Sequence, residues 1–369
     1  MRDTRECQNC KKSFIIEPED FSFYEKIKVP PPTWCPECRL IRRMSFRNER
    51  SLYRRKDAFG KELISVYSPD KLVVVYEQKY WWSDKWDPME YGRDYDFSRP
   101  FFKQFEELRN NVPLPNVSDV NSVNSSYCNV ATENKSCYLV FATGRSENIL
   151  YGNRVSYSRD SMDLLQVDKV ESCYDDLLSN ESFRLFFSKE CKHCVNSAFL
   201  YDCHNCSNCF GCTNLRNKSY CIFNKQYSKG EYESKMREFD LGSFTTLEKA
   251  KKLFESQYQK AIHRHAVMWK TVNSSGNYIN ESKNCLYCFD ILNGAEDCKF
   301  AEWAGWVIKD SFDLLGIAEG SLIYEAVDSG IDQGYKLFAV NVVYSSHEVS
   351  YSINCHNSSY LFGCVGLRN

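Results

Sequence analysis

The chain has 369 residues, of which 43% are hydrophobic and 26% charged, and its net charge is -2 at pH 7. This composition is that of an ordinary globular protein, and no apolar run approaches the roughly 20 residues of a membrane-spanning helix. The polar amino terminus does not read as a secretory signal, so the 19 cysteines favour reduced thiols in the cytoplasm over disulfides.

The first 56 residues contain two Cys-x-x-Cys pairs. Cys7 and Cys10 form the first pair, and Cys35 and Cys38 form the second after 24 intervening residues. Each pair can present two thiolates to one ion, and two pairs complete a tetrahedral four-thiolate site. A segment this short buries little core, so metal binding would supply its folding free energy. Residues 1–56 are therefore predicted to be a zinc module holding one structural Zn²⁺.

A basic segment without glycine or proline follows Cys38 and predicts a helix. Its arginines are spaced as one helical stripe, which is a candidate surface for the phosphates of RNA or DNA. The alternative is a solvated face, or arginines that pair with acidic residues of the same chain. The candidate nucleic-acid contacts are Arg39, Arg42, Arg43, Arg47, Arg50 and Arg54.

These residues also carry a resemblance. The runs CQNC, WCPECR and RRMSFRNERSLYRR, followed by SVYSPD and YWWSDKWDPMEYG, resemble a family of uncharacterised bacterial proteins. That family combines a zinc-binding head, of the treble-clef or zinc-ribbon kind, with a Cys- and Asn-rich repetitive body. The resemblance implies zinc ligation by Cys7, Cys10, Cys35 and Cys38, and it implies no activity.

Residues 57–118 predict a small α+β connecting domain, with two short strands and then a helix over FFKQFEELRNN. Three tryptophans precede that helix. They are either a stacking platform for bases or sugars or, as is commoner, buried aromatics of a domain interface. They are Trp81, Trp82 and Trp86.

From residue 119 the sequence becomes a series of short Ser-, Asn-, Cys- and Tyr-rich segments that recur every ~9–13 residues. This texture favours stacked coils with small inward side chains, and a β-sandwich is the alternative. RDSMDLL and DCHNCSNCFGCTNLRN recur later as KDSFDLL and NCHNSSYLFGCVGLRN, at nearly constant offset. The body is therefore predicted to be a duplicated β-solenoid, like a parallel β-helix, with blocks at 119–225 and 276–369. The first block continues beyond the segment that corresponds to the end of the second block. We therefore expect the second block to be truncated, without a counterpart of the final coil.

The segment between the blocks, 226–275, predicts a helical insertion. Thr245 and Glu248 suggest a capping box at a helix start. Apolar residues at helical spacing continue from Leu247 to Met268.

Four cysteines at three-residue steps occupy the middle of the chain, at Cys203, Cys206, Cys209 and Cys212. They are a candidate second metal site, or an iron–sulfur or redox centre, or simply positions of a repeat. The corresponding residues of the second block include Ser358 and Leu361, which favours the repeat.

The function predicted from these features is that of a non-catalytic zinc-binding scaffold, whose solenoid binds a partner protein and whose basic helix contacts nucleic acid. The alternative is a carbohydrate-active β-helix enzyme, a lyase or hydrolase, that uses paired aspartates. Its candidate pairs are Asp160 with Asp163 and Asp310 with Asp313. A third hypothesis is redox chemistry at the central cysteines.

Overall fold

A computed structural model describes residues 2–317 and 319–368. Its amino-terminal head begins with an antiparallel pair of strands, and two helices follow. The first helix begins at Pro18 with a reciprocal capping box between Glu17 and Asp20. It ends at Ile27, and its C-cap Lys28 has a left-handed backbone. The elements of the head are β1 (Asp3–Glu6), β2 (Ser13–Ile16), α1 (Pro18–Ile27) and α2 (Pro36–Met44).

The connecting segment contains short elements held together by aromatic side chains. Trp81 is fully buried and donates its indole N–H to the carbonyl of Pro113 at 2.8 Å. Its elements are β3 (Tyr53–Lys56), β4 (Glu62–Ser65), β5 (Val75–Tyr76), α3 (Gln78–Trp81), a 3-10 turn (Pro88–Tyr91), α4 (Phe101–Asn111) and β6 (Leu114–Pro115).

The first block is a β-solenoid, which confirms the predicted fold class. Cys209 lies in register with Cys221, so one coil takes twelve residues. The residue before each inward side chain has a left-handed backbone; Asn205 and Asn208, with φ of 54° and 53°, are examples. Since a left-handed corner occurs every three residues, a coil of twelve residues has four sides. Each side contributes one inward side chain.

The strands of this block form an 11-stranded sheet in sequential order, parallel except for the last pair. They are β7 (Asp119–Val120), β8 (Asn129–Thr132), β9 (Phe141–Gly144), β10 (Glu147–Ser156), β11 (Arg159–Asp168), β12 (Tyr174–Leu177), β13 (Phe183–Lys189), β14 (Val195–Ala198), β15 (Ser207–Phe210), β16 (Ser219–Ile222) and β17 (Lys225–Gln226).

Inward serines connect successive coils. The hydroxyl of Ser179 accepts a hydrogen bond from the backbone N–H of Cys191 at 3.1 Å, and Ser182 does the same for Cys194. Such bonds satisfy backbone donors that would otherwise be buried without a partner. Asparagine tolerates the left-handed corners, but Val130 also occupies one, so the corners are imposed by the ladder and not by local preference alone.

Two helices cover the end of the first block. They are α5 (Lys229–Met236) and α6 (Phe244–Tyr258), and they share an apolar cluster with Phe199 and Phe210 of the last coils. The predicted capping box at Thr245 is wrong. The N-cap of this helix is Ser243, two residues before Thr245, and the helix ends at Tyr258. The capping box in this segment is that of Ser228 and Glu231, at the start of α5.

The second block is less regular, because some coils are longer than twelve residues. Phe289 pairs with Glu302 and Ile323 with Leu337, whereas Val343 and Cys355 return to the twelve-residue register. Its sheet begins before the predicted boundary at 276. The strands are β18 (Met268–Trp269), β19 (Gly276–Asn280), β20 (Cys288–Ile291), β21 (Asn293–Lys299), β22 (Glu302–Ala304), β23 (Trp306–Ile317), β24 (Gly320–Val327), β25 (Gly334–Phe338), β26 (Asn341–Tyr344), β27 (His347–Ser350), β28 (Ile353–His356) and β29 (Ser359–Phe362).

The two blocks lie side by side and run in opposite directions. Arg154 of the first block pairs with Asp290 at 3.2 Å, whereas Glu190, farther along the chain, accepts a hydrogen bond from Tyr278. The connecting segment therefore meets the end of the second block, where Val365 packs in one apolar cluster with its buried side chains.

Candidate metal centre

The four predicted zinc ligands lie together in the head. The turn between β1 and β2 carries Cys7 and Cys10, while Cys35 is the N-cap of α2 and Cys38 lies in its first turn. Pro36 at the first helical position favours a helix start at this point. One pair of thiols is thus set by a hairpin turn and the other by a helix amino terminus.

The thiol sulfurs of these four residues all lie within 4.8 Å of one another. The Sγ atoms of Cys10 and Cys35 are 3.7 Å apart. A tetrahedral ion with bonds of about 2.3 Å to sulfur would separate its ligands by about 3.8 Å, so this spacing fits a four-thiolate metal ion. The residues present therefore suit the predicted ion in number, donor type and spacing.

Backbone groups around the site favour thiolate at one ligand. Burial raises the pKa of the Cys7 thiol, but N–H groups of Cys35, Cys10 and Asn9 outweigh it and lower the pKa to about 6. The N–H of Cys35 is 3.2 Å from the Cys7 sulfur. Burial and the neighbouring thiols raise the pKa of Cys35 to about 12. A positive ion would favour the thiolate form at both residues.

The metal centre and the second solenoid block are joined through α2. Arg39 directly follows Cys38, and its Nε donates to the Asp313 carboxylate at 2.8 Å; both side chains are buried. Arg43, one turn later, contacts the other oxygen of Asp313 at 3.1 Å. The ring of Phe23 stacks on Phe312 with centroids 4.0 Å apart. The head therefore packs tightly against the second block.

A second buried ion pair holds α1. The ammonium of Lys299 is 2.8 Å and 3.0 Å from the two carboxylate oxygens of Asp20. Sequence reasoning missed this pair and the role of Asp313, because residues nearly 300 positions apart give no local signal. The sequence left open that the arginines pair with acidic residues of the same chain, and the ion pairs with Asp313 and Glu325 agree with that alternative.

The candidate nucleic-acid arginines do not form one stripe. The helix ends at Met44, where the sequence predicted a longer one, so Arg47, Arg50 and Arg54 lie beyond it. Arg39 and Arg43 are buried against Asp313.

Within the same set, Arg42 pairs with Glu325 at 2.5 Å, and Arg47 stacks on Trp303 at 3.9 Å. Arg50 and Arg54 are exposed. The guanidinium of Arg50 also lies over the Phe141 ring, 5.7 Å from its centroid. Five of the six arginines thus take part in contacts within the chain.

The four central cysteines are the inward residues of a single coil. All four are buried, and each sulfur lies near a carbonyl of the solenoid, as Cys203 does with that of Tyr201 at 3.4 Å. Across residues 2–317 and 319–368, Cys7, Cys10, Cys35 and Cys38 form the one group of three or more such ligand atoms this close together. The sulfurs of Cys203, Cys206, Cys209 and Cys212 point inward from four different sides and do not all lie within 4.8 Å of one another. A second metal site at these residues stays a prediction.

The paired aspartates of the enzymatic alternative have other partners. Asp310 contacts Lys26 at 3.1 Å, and Asp313 is held by Arg39 and Arg43. In the first block Asp160 and Asp163 lie at left-handed corners, and Asp160 accepts a hydrogen bond from Asn148 at 2.7 Å. Three of the four aspartates thus have partners within the chain, and Asp163 is exposed.

The three tryptophans divide between core and surface. Trp81 is buried, and Trp86 donates to the Trp81 carbonyl at 2.8 Å. Trp82 is partly exposed and lies 4.9 Å, ring to ring, from His356. Burial lowers the pKa of His356 to about 4, with Arg368 adding to the effect, so this ring is neutral at pH 7.

Comparison of the chain with protein-family models and with curated proteins found no match in either case. Among the described residues, no helix is both long enough and apolar enough to cross a membrane.

Proposed function

We propose that this protein is a non-catalytic zinc-binding scaffold. In it, Zn²⁺ fixes a treble-clef-like head, the head docks on the second solenoid block, and the outer faces of the solenoid bind a partner protein. The observation that carries the proposal is the close approach of four cysteine sulfurs, two of which belong to α2, the helix whose Arg39 contacts Asp313. The four residues are Cys7, Cys10, Cys35 and Cys38.

The donor set supports zinc. Four thiolates in tetrahedral spacing are typical of structural Zn²⁺, and a closed set of four leaves no position for a substrate. Iron binds similar sets in some proteins, so the identity of the ion belongs to the proposal. Nineteen free thiols suit a reducing compartment, and we propose a cytoplasmic location.

The contacts of α2 support a scaffold over the other candidate functions. Arg39 and Arg43 are buried, so they reach a nucleic-acid phosphate only if the head undocks. The same ion pairs occupy Asp313, one of the carboxylates that a β-helix enzyme would need.

The test is limited trypsin digestion of the full-length protein with and without a zinc chelator. With metal bound, the chain should resist cleavage after Arg39 and Arg43, because both are buried. After chelation the head should open and cleavage should appear there, and added Zn²⁺ should restore resistance. If chelation strips the metal and these sites stay protected, zinc does not organise the head.

A further inference from the structure

A pocket of about 500 Å³ lies where the head, α4 and the second block meet. We call it the junction pocket. Its volume lies in the range of roughly 300–1,000 Å³ typical of small-molecule sites, and sites of that kind favour domain interfaces. Its rim includes the proline turn Pro30–Pro32, whose rings restrict the backbone.

The walls of the junction pocket are mainly aromatic and come from three separate parts of the chain. Half of Phe46 and two thirds of Phe102 remain exposed, and both side chains line the pocket. Together they offer an apolar ligand contact on several sides. The aromatic residues are Trp34, Phe46, Phe102, Phe105, Tyr324, Phe338 and Tyr351.

The charged residues of the pocket leave it positive. Four arginines line it, with two glutamates, Glu106 and Glu325. Asp313 lies behind the wall and pairs with Arg39 and Arg43. Counting all three acids against the four arginines leaves one positive charge, which matches a ligand with a single negative charge.

Two of the arginines have unused donors. The Nε atoms of Arg43 on α2 and Arg109 on α4 are buried and have no hydrogen-bond partner among the residues that the structure describes. Arg43 is only 2% exposed, so water does not readily replace the missing acceptor. A buried donor without a partner costs on the order of 1–3 kcal/mol, and an anionic oxygen is the acceptor that arginine binds best.

We infer that the junction pocket binds a small amphipathic carboxylate, with the carboxylate toward Arg43 and Arg109 and an acyl or aryl body against the aromatic walls. This binding site is additional to the proposed scaffold function. A polyanion does not suit it, since its volume takes one drug-sized ligand and its excess charge is a single unit.

The experiment is calorimetric titration of the zinc-loaded full-length protein with two probes, sodium dodecanoate and sodium 1-naphthoate. At least one should bind with 1:1 stoichiometry, and the pair distinguishes an acyl from an aryl body. Dodecan-1-ol and dodecyltrimethylammonium share the apolar chain without the carboxylate. They should bind about tenfold or more weakly, because a hydrogen bond to a charged group is lost.

Two variants locate the site. Arg109→Gln should weaken carboxylate binding by about tenfold or more and leave dodecan-1-ol unaffected. Phe102→Ala should weaken both, whereas Phe97→Ala, an exposed phenylalanine outside the pocket, should weaken neither. The inference is overturned if neither carboxylate binds, if the alcohol or the ammonium compound binds as tightly, or if Arg109→Gln has no effect. The comparison of carboxylate, alcohol and ammonium probes uses the wild-type protein, so it tests the inference even if a variant does not fold.

Discussion

Arg39 and Asp313, 274 positions apart in the chain, form a fully buried ion pair with an N–O distance of 2.8 Å. Arg43 contacts the same carboxylate, so one aspartate on the second solenoid block holds two arginines of α2, the helix that carries Cys35 and Cys38. The pair links the metal centre to the solenoid, since Arg39 is the residue next to Cys38.

Replacing Asp313 should therefore undock the head. Asp313→Asn leaves the buried Arg43 without its ion-pair partner and leaves Arg39 with only Glu325, at 3.9 Å. We expect a loss of about 3–5 kcal/mol in the free energy of unfolding. Asp310→Asn is the matched control from the same D-x-x-D motif. Its partner Lys26 is largely exposed, so the expected loss is about 0–1 kcal/mol.

Urea unfolding followed by tryptophan fluorescence measures both losses. If Asp313→Asn and Asp310→Asn cost the same, the buried pair does not hold the head in place.

The central cysteines should tolerate serine, because the solenoid already uses it at an equivalent position. Cys206 lies 3.4 Å from the carbonyl of His204, and Ser358 of the second block donates to the carbonyl of His356 at 2.8 Å. We expect Cys206→Ser to cost less than about 1.5 kcal/mol. Leu185→Ala, at a fully buried inward position, should cost about 2–5 kcal/mol through the cavity it leaves.

Thermal unfolding followed by circular dichroism compares the two variants. A Cys206→Ser protein that unfolds as easily as Leu185→Ala would mean that this thiol does more than fill a coil.

Asp176 should make stability depend on pH. Burial raises its pKa to about 7, against the contrary effect of hydrogen bonds from Ser179 and the backbone. The unfolded chain loses this proton near pH 4 and the folded one near pH 7, so stability falls as pH rises across that interval. Between these two pH values the wild-type protein loses roughly 1.4 kcal/mol of stability per pH unit. Asp176→Asn removes this dependence, because asparagine does not titrate.

Urea unfolding of wild type and Asp176→Asn at pH 4.5 and pH 8 measures this effect. The variant should be more stable than wild type at pH 8 by up to about 4 kcal/mol, and the difference should shrink toward pH 4.5. A difference that stays constant with pH would show that Asp176 titrates normally.

The parts of this structure that follow a local pattern could be predicted from sequence. The Cys-x-x-C pairs indicated the metal ligands, and the recurring inward Ser, Cys and Val indicated stacked coils. The length of twelve residues per coil could not be predicted, because the second block also contains longer coils, such as the one between Ile323 and Leu337.

The parts that depend on distant contacts could not be predicted. The spacing of the arginines predicted one long helix, because spacing alone gives no information about tertiary contacts. In the structure its arginines bind Asp313, Glu325 and Trp303, and the helix ends at Met44. The junction pocket depends on three chain segments meeting, and no segment alone carries its pattern.

The most direct test of the proposed scaffold is the metal content of the purified protein, measured by elemental mass spectrometry on wild type, Cys35→Ser and Cys206→Ser. We expect one zinc per chain in wild type and in Cys206→Ser, and none in Cys35→Ser, because among the described residues only the four amino-terminal thiols lie close enough together to hold an ion. Zinc retained in Cys35→Ser, zinc lost in Cys206→Ser, or a wild-type protein with iron or no metal would contradict it.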